Sequence, residues 1–374
     1  MRKIALILCF LLALLFALPA RAEESAEDAL YLLVNEQNTV ITHYYGAPEA
    51  GDEYIATDNA HYRVKIVDAN RRVATLEALG TYQMPDVSWL EEKTGSLPAS
   101  AKAKAVAIYC THSDESYVPT DGTSSQKGQG GIYDVAGALK AALEEKGVTV
   151  HYSEDTHHPH DAGAYRRSRA TAAELLKNGV DALIDIHRDG IPDPESYDSE
   201  VAGESLAMVR LEVGRANQNA SVNKAFATRL KAIADKVYPG LVKDIYIGKG
   251  TYNQDLSPNA ILFEFGTYTN EKQDAEKATA YMADVLYRAL YGDVTGAAGA
   301  SDARQAGSGE KKQGEESRGV WSGILWVIGA LVVGAIIYAL AATGRMKPAL
   351  EKTGSTFREM FGGLFGRRKD SSRK

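Results

Sequence analysis

Apolar and polar positions follow two different rhythms along this chain. Over residues 29–91, short runs of β-branched and aromatic residues alternate with polar ones: Tyr31-Leu-Leu-Val34, Thr39-Val-Ile-Thr-His-Tyr-Tyr45, Tyr62-Arg-Val-Lys-Ile-Val67 and Val73-Ala-Thr-Leu76. Turn formers at Gly46-Ala-Pro48 and Ala50-Gly-Asp52 separate them. A period of two broken by such turns predicts strands, here a small antiparallel β-rich unit over 27–95. Residues 95–104 are small and polar and read as a connector.

From residue 105 the rhythm changes to apolar strands alternating with helix-period stretches. A first strand places Val106, Ile108, Cys110 and His112 on one side and Ala107, Tyr109 and Thr111 on the other. A helix follows, with Ile132, Val135, Leu139, Ala142 and Leu143 as its stripe and Gly147 as its stop. Then come a strand over 148–152, a helix over 164–177 and a strand ending at His187. After a less regular section, Phe226, Leu230, Ile233 and Val237 mark another helix, 260–266 another strand and 271–291 a last helix. This alternation predicts an α/β domain over 102–292, a mostly parallel twisted sheet flanked by helices.

The ends have other compositions. Arg2 and Lys3, an apolar run and Ala20-Arg21-Ala22 read as a signal peptide over 1–22. Residues 293–319 are a polar stalk. Residues 320–342 carry no charge and are long enough for a transmembrane helix, and the excess of Lys and Arg over 343–374 puts that tail in the cytoplasm. The expected location is therefore the cell membrane, single-pass, with the main domain extracytoplasmic. A formal charge of -7 gives no reason to expect nucleic acid as a partner. Cys9 would leave with the leader, so Cys110 has no intramolecular disulfide partner and is expected as a small core residue.

Three strand ends carry the candidate chemistry, as ligand sites in parallel α/β sheets do. His112-Ser-Asp-Glu115 is an H-x-x-E spacing able to put an imidazole and a carboxylate on one metal ion. His187 supplies a third ligand, which leaves a position for water as catalytic zinc requires. Glu264 would act as general base. It lies among Ile261, Leu262, Phe263 and Phe265, where an unpaired carboxylate is costly, and the plainer alternative pairs it with an arginine. Asp185 is placed to orient His187 from behind. His157, His158, His160 and Asp161 read as a surface loop, with His160 as a reserve ligand, and His43 and His61 as structural histidines.

Several of these residues sit in longer motifs. Tyr109-Cys-Thr-His-Ser-Asp-Glu-Ser-Tyr117, His160-Asp161 with Tyr165 and Ser168-Arg169, Asp185-Ile-His-Arg-Asp189, and Tyr252-Asn-Gln-Asp-Leu-Ser-Pro258 leading into Leu262-Phe-Glu-Phe-Gly266 resemble the stage II sporulation protein P family, in order over 105–291. The resemblance implies an extracytoplasmic, zinc-dependent N-acetylmuramoyl-L-alanine amidase acting on peptidoglycan, with cleavage of stem-peptide cross-links as an extension. It places His112 and His187 on the metal-binding histidines and Glu264 on the catalytic glutamate. Glu115 matches the motif's glutamate, although its ligand role comes from spacing. In related amidases the ligand glutamate lies elsewhere, and His160 or Asp161 would then be the third ligand. Arg188 is a candidate for contacting the reacting carbonyl or the substrate.

Cys110 stands where the family's H-T-H pattern has its first histidine, and a C-terminal anchor differs from tethering near the N-terminus. Sporulation and division therefore both fit as settings for wall remodelling, with or without protein partners. The rival readings are a metallocarboxypeptidase and a non-catalytic wall-binding scaffold.

Overall fold

A computed structural model describes residues 28–90, 103–161 and 163–292 of the chain, all within the unit Glu23–Ser308. The expected leader, stalk, membrane span and basic tail lie outside the described residues. Among the described residues, no helix is long and apolar enough to cross a membrane.

The N-terminal strands are β1 (Ala29–Val34), β2 (Val40–Gly46), β3 (Glu53–Ile55), β4 (Ala60–Asp68) and β5 (Val73–Thr81). The main domain supplies β6 (Ala105–Tyr109), β7 (Thr149–Tyr152), β8 (Ala182–Asp189), β11 (Val209–Gly214), β12 (Val242–Gly248) and β13 (Ala260–Thr267), while β9 (Asp198–Val201) and β10 (Glu204–Ala207) form a separate hairpin. The large sheet has eleven strands in the order β2-β1-β5-β4-β3-β12-β11-β13-β8-β6-β7. The strands β7, β6, β8 and β13 pair in parallel, β11 reverses against β13, and β12 runs with β11. The fold is therefore mixed α/β around one large sheet.

Two features differ from the sequence expectation. The N-terminal unit is not wholly antiparallel, because β1 and β5 pair in parallel. It is also continuous with the main sheet, since β3 pairs antiparallel with β12 through Tyr54↔Tyr246. A period-two pattern says which face a residue takes and leaves its neighbour strand open.

The helices are α1 (Val118–Asp121), α2 (Ile132–Glu145), α3 (Ala164–Leu176), α4 (Ala220–Val237) and α5 (Lys272–Tyr291). The stripe Ile132, Val135, Leu139 and Leu143 of α2 is fully buried, and α2 ends as its sequence predicts. Gly147 is left-handed at φ 75°, and the amides of Gly147 and Val148 bond Glu144 O and Leu143 O.

Alternation along the strands gives the sheet two faces of different chemistry. Val106, Ile108, Ile184, Ile186, Leu211, Ile245, Phe263 and Phe265 form one core with α2, α4 and α5. On the opposite face Ala107, Tyr109, Leu183 and Ala260 pack with Ala172 and Leu175 of α3. That second face also carries Asp185, His187, Glu264, Arg210 and Asp244, because these are cross-strand neighbours or lie two residues apart on one strand.

Candidate metal centre

The first strand stops at Tyr109, three residues before His112. Cys110 continues the alternation into the helix-side core, where it is fully buried and burial pushes its thiol pKa up. The chain then turns: Glu115 N bonds His112 O at 3.2 Å, and His112 leaves the side it was expected to share with Val106 and Ile108. Asp185 anchors the turn, accepting from Thr111 N at 2.8 Å and from Thr111 Oγ1 at 2.6 Å. The imidazole of His112 thereby comes beside that of His187, with ring centroids 5.0 Å apart.

His112, Glu115 and His187 form a possible ligand group, with one donor atom from each lying within 4.8 Å of the others. Glu115 sits between the two rings, its Oε1 3.3 Å from His112 Nδ1 and its Oε2 3.5 Å from His187 Nδ1. Tetrahedral zinc with ligands at about 2.0–2.2 Å requires donor separations of about 3.3–3.5 Å. The donor set therefore fits zinc by type, and each histidine nitrogen stands at about that distance from a Glu115 oxygen. His112 Nε2 is buried with no hydrogen-bond partner, so this ring retains an unused nitrogen. His187 Nε2 lies 3.0 Å from Asp185 Oδ1, too far off line to count as a hydrogen bond but close enough for a carboxylate to orient the ring.

Opposite charges meet closely at this site. Burial pushes the Glu115 carboxyl up, but His187 and Arg188 outweigh it and hold the group well below the usual carboxylate range. Arg188 N donates to Glu115 Oε2 at 3.1 Å, and its guanidinium donates to Ser116 O and Ser124 O at 3.3 and 3.0 Å. The described contacts of Arg188 thus hold Glu115 and the loop that carries it. Burial lowers the His112 pKa. At His187 burial acts in the same direction, but Asp185 and Glu115 reverse it.

Glu264 borders the centre. In the sheet register it faces His187 on one side and Arg210 on the other. Arg210 is committed elsewhere: its Nε and Nη1 donate to Asp244 Oδ1 at 2.7 Å and Asp189 Oδ2 at 2.8 Å. Among the described residues Glu264 has no arginine pair of the kind the plainer reading expects, and its Oε2 is buried with no hydrogen-bond partner. Burial raises the carboxyl well above its usual range, with Glu115, Asp189 and Glu212 adding to the rise and His187 opposing it. The β13–β8 register shifts just after Glu264, and Gly266 is left-handed at φ 66°. Irregularities of this kind re-aim side chains beside active sites.

The remaining candidates divide. The His160 ring lies tilted against that of His112, centroids 4.0 Å apart, while its Nδ1 pairs with Asp114 Oδ1 at 3.0 Å. Asp161 sits on Arg167. His157, expected in a surface loop, is buried and structural: Nδ1 donates to Cys110 O at 2.9 Å and Nε2 bonds Thr171 Oγ1 at 3.0 Å. Tyr165 on α3 packs its ring 5.4 Å from His112 and stacks at 6.2 Å on His187. It was legible only as part of the family motif. Arg210 and Glu212 had no sequence signal.

A family model described as stage II sporulation protein P matches residues 31–287. The chain belongs to the stage II sporulation protein P family. It is 30% identical over 229 residues to stage II sporulation protein P of Bacillus subtilis (strain 168), a match covering 56% of this chain and 55% of that protein. The chain thus matches about half the length of this family relative. Among solved structures it is similar to the N-acetylmuramoyl-L-alanine amidase AmiC2 of Nostoc punctiforme, with 15% identity, 50% of this chain and 96% of that one covered, and a TM-score of 0.32. It is similar too to the CwlD amidase of Clostridioides difficile, solved with the GerS lipoprotein, at 15% identity, 54% and 99% coverage and a TM-score of 0.32.

Proposed function

We propose that this chain is a zinc-dependent peptidoglycan amidase that hydrolyses the bond between the muramoyl lactyl group and L-alanine of the stem peptide. The observation that carries the reading is the His112–Glu115–His187 donor set beside the unpartnered Glu264 carboxyl. Zinc held by these three residues would supply Lewis-acid polarisation of the amide carbonyl. Glu264 accepts a proton from the attacking water and delivers it to the alanine nitrogen as the carbonyl–nitrogen bond breaks. The products are a lactyl carboxylate and a free amine. The raised pKa suits the delivery step, and the charge of a bound zinc would favour the ionised form that accepts.

In this reading Arg188 fixes Glu115 and the loop, and Asp185 orients His187. The apolar run over 320–342 anchors the domain to the membrane, and the leader-like residues 1–22 send it outside the cell, where the wall is. Family membership supports sporulation as the setting. The test is to incubate the full chain with purified walls and label new amino termini. L-alanine should appear, disappear with a zinc chelator and return with zinc. Release of C-terminal amino acids alone would indicate a carboxypeptidase, and no new termini from a zinc-loaded chain would indicate a scaffold.

A further inference from the structure

Glu212 on β11 has no part in the metal centre, yet its carboxylate lies on the floor beside it without a use. It is two residues from Arg210, which stands opposite Glu264 in the sheet register, so Glu212 and Glu264 share a face as diagonal neighbours about 7–8 Å apart. Strand β13 separates Glu212 from His187 on β8. Glu212 is only 7% exposed, and among the described residues no hydrogen bond or ion pair reaches its carboxylate.

The charges nearby do not compensate it. Arg210 and Lys243 are held by Asp189 and Asp244, two positive groups against two negative ones, which leaves Glu212 as the excess. Burial raises its pKa, and Arg210 opposes the rise. A carboxylate buried without a partner is costly, and a cation beside it would offset that cost and restore the ionised form.

Aromatic rings surround this carboxylate. Tyr246 stands directly opposite it on β12, and Tyr44 of the N-terminal unit stacks on Tyr246 with centroids 3.8 Å apart. Gln254 Nε2 donates to Glu212 O and Gly214 N donates to Gln254 Oε1, each at 2.8 Å, so the loop carrying Tyr252 is fixed to the same strand. Tyr252 is left-handed at φ 48°, a conformation that gathers at functional sites. Burial raises the pKa of both Tyr44 and Tyr252, and the Glu212 carboxylate adds to each rise, which puts it within electrostatic reach of the two rings. On its other side the Tyr252 ring lies 5.3 Å from that of Tyr165, which stacks on His187.

Ring faces and a bare carboxylate attract a cation and repel an anion. A primary ammonium also brings three N–H donors for the carboxylate and phenol oxygens. We propose that Glu212, with Tyr44, Tyr246 and Tyr252, forms a binding site for a primary ammonium group one strand from the metal ligand His187 and beside Glu264. In the reaction this group is the amine freed from alanine or a side-chain amine of the stem peptide. That use of the site rests on the amidase reading, whereas ammonium binding itself does not.

Saturation-transfer NMR on the full chain tests it with three probes. L-alaninamide carries its ammonium on the α carbon, Nα-acetyl-L-lysinamide carries it at the end of the side chain, and N-acetyl-L-alaninamide has none. At least one ammonium probe should bind about tenfold more tightly than the neutral one, and Glu212→Gln, which keeps the shape and removes the charge, should abolish that preference. The probe that loses affinity identifies the source of the amine, and an amine held by a metal alone would be indifferent to Glu212. Equal binding of charged and neutral probes by the natural chain, or an ammonium preference retained in Glu212→Gln, would overturn the proposal. Failure of Glu212→Gln to fold, read by thermal unfolding, would assign the carboxylate a structural role and overturn it too. If walls are not cleaved while ammonium binding depends on Glu212, the amidase reading fails and the site stands.

Discussion

A histidine offered to a metal needs its other nitrogen controlled, and at His187 that task falls to Asp185. The carboxylate does two jobs, since it also fixes the turn through Thr111 N and Oγ1. Asp185→Asn keeps an oxygen for Thr111 N but removes the charge facing Nε2. Zinc affinity, measured by competition with a chromophoric chelator, should fall about 10–100-fold, and unchanged affinity would rule out that role. The residues visible in the sequence were those at ends of apolar runs, His112, His187 and Glu264, with Glu115 following from its spacing. Asp114, Arg210 and Glu212 were not visible, because their significance lies in partners brought from other segments. Asp114, for instance, is held at a pKa of about 2 against the effect of burial chiefly by its bond to His160, 46 residues away.

The loop between β6 and α2 is the element that brings the candidate ligands His112 and Glu115 to a strand end, and it closes on its own backbone. Gly130 N bonds Ser113 O at 3.2 Å, and Ile132 N bonds Glu115 O at 3.0 Å. A Cβ on Gly130 would stand 2.4 Å from Glu115 O and 2.7 Å from Asp114 C, backbone atoms that cannot swing aside. Gly130→Ala should therefore displace Glu115 without altering a ligand. We expect a loss of about 1–3 kcal/mol in stability and a smaller rise in Tm on adding zinc, both read by thermal unfolding. A zinc-induced shift equal to that of the natural chain would show that the loop tolerates the change. Strands β6, β8 and β13 and helices α2 to α5 were legible from their period. Strands β11 and β12 were not: Arg210, Glu212, Lys243 and Asp244 interrupt the apolar runs that mark buried strands, and only the folded sheet supplies the pairings that make Arg210, Lys243 and Asp244 tolerable there.

Across the whole molecule, Arg210 links the parts. It is fully buried, holds Asp189 at the end of β8 and Asp244 on β12, and donates to His43 O on β2 at 3.2 Å. The N-terminal unit is thus tied to the floor of the site as well as to the sheet. Arg210→Met strands two buried carboxylates and should cost about 3–5 kcal/mol. Burial pushes the Asp244 carboxyl up, but Arg210 and Lys243 outweigh it and depress its pKa. A depressed carboxyl adds stability above its unfolded pKa of about 3.9, and that contribution is lost as pH falls through the folded value. The Tm gap between the natural chain and Arg210→Met should therefore be full above about pH 5, begin to narrow below about pH 4 and close only below the depressed folded pKa of Asp244. A gap independent of pH would refute the pairing as its source. In the proposed reaction Glu264 moves the proton of amide hydrolysis, and mass analysis of wall digests tests this most directly. The natural chain should release stem peptides beginning with free L-alanine, and zinc-loaded Glu264→Gln should release them about 10²–10⁴ times more slowly. Digestion by Glu264→Gln at the natural rate, or no such peptides from the natural chain, would contradict it.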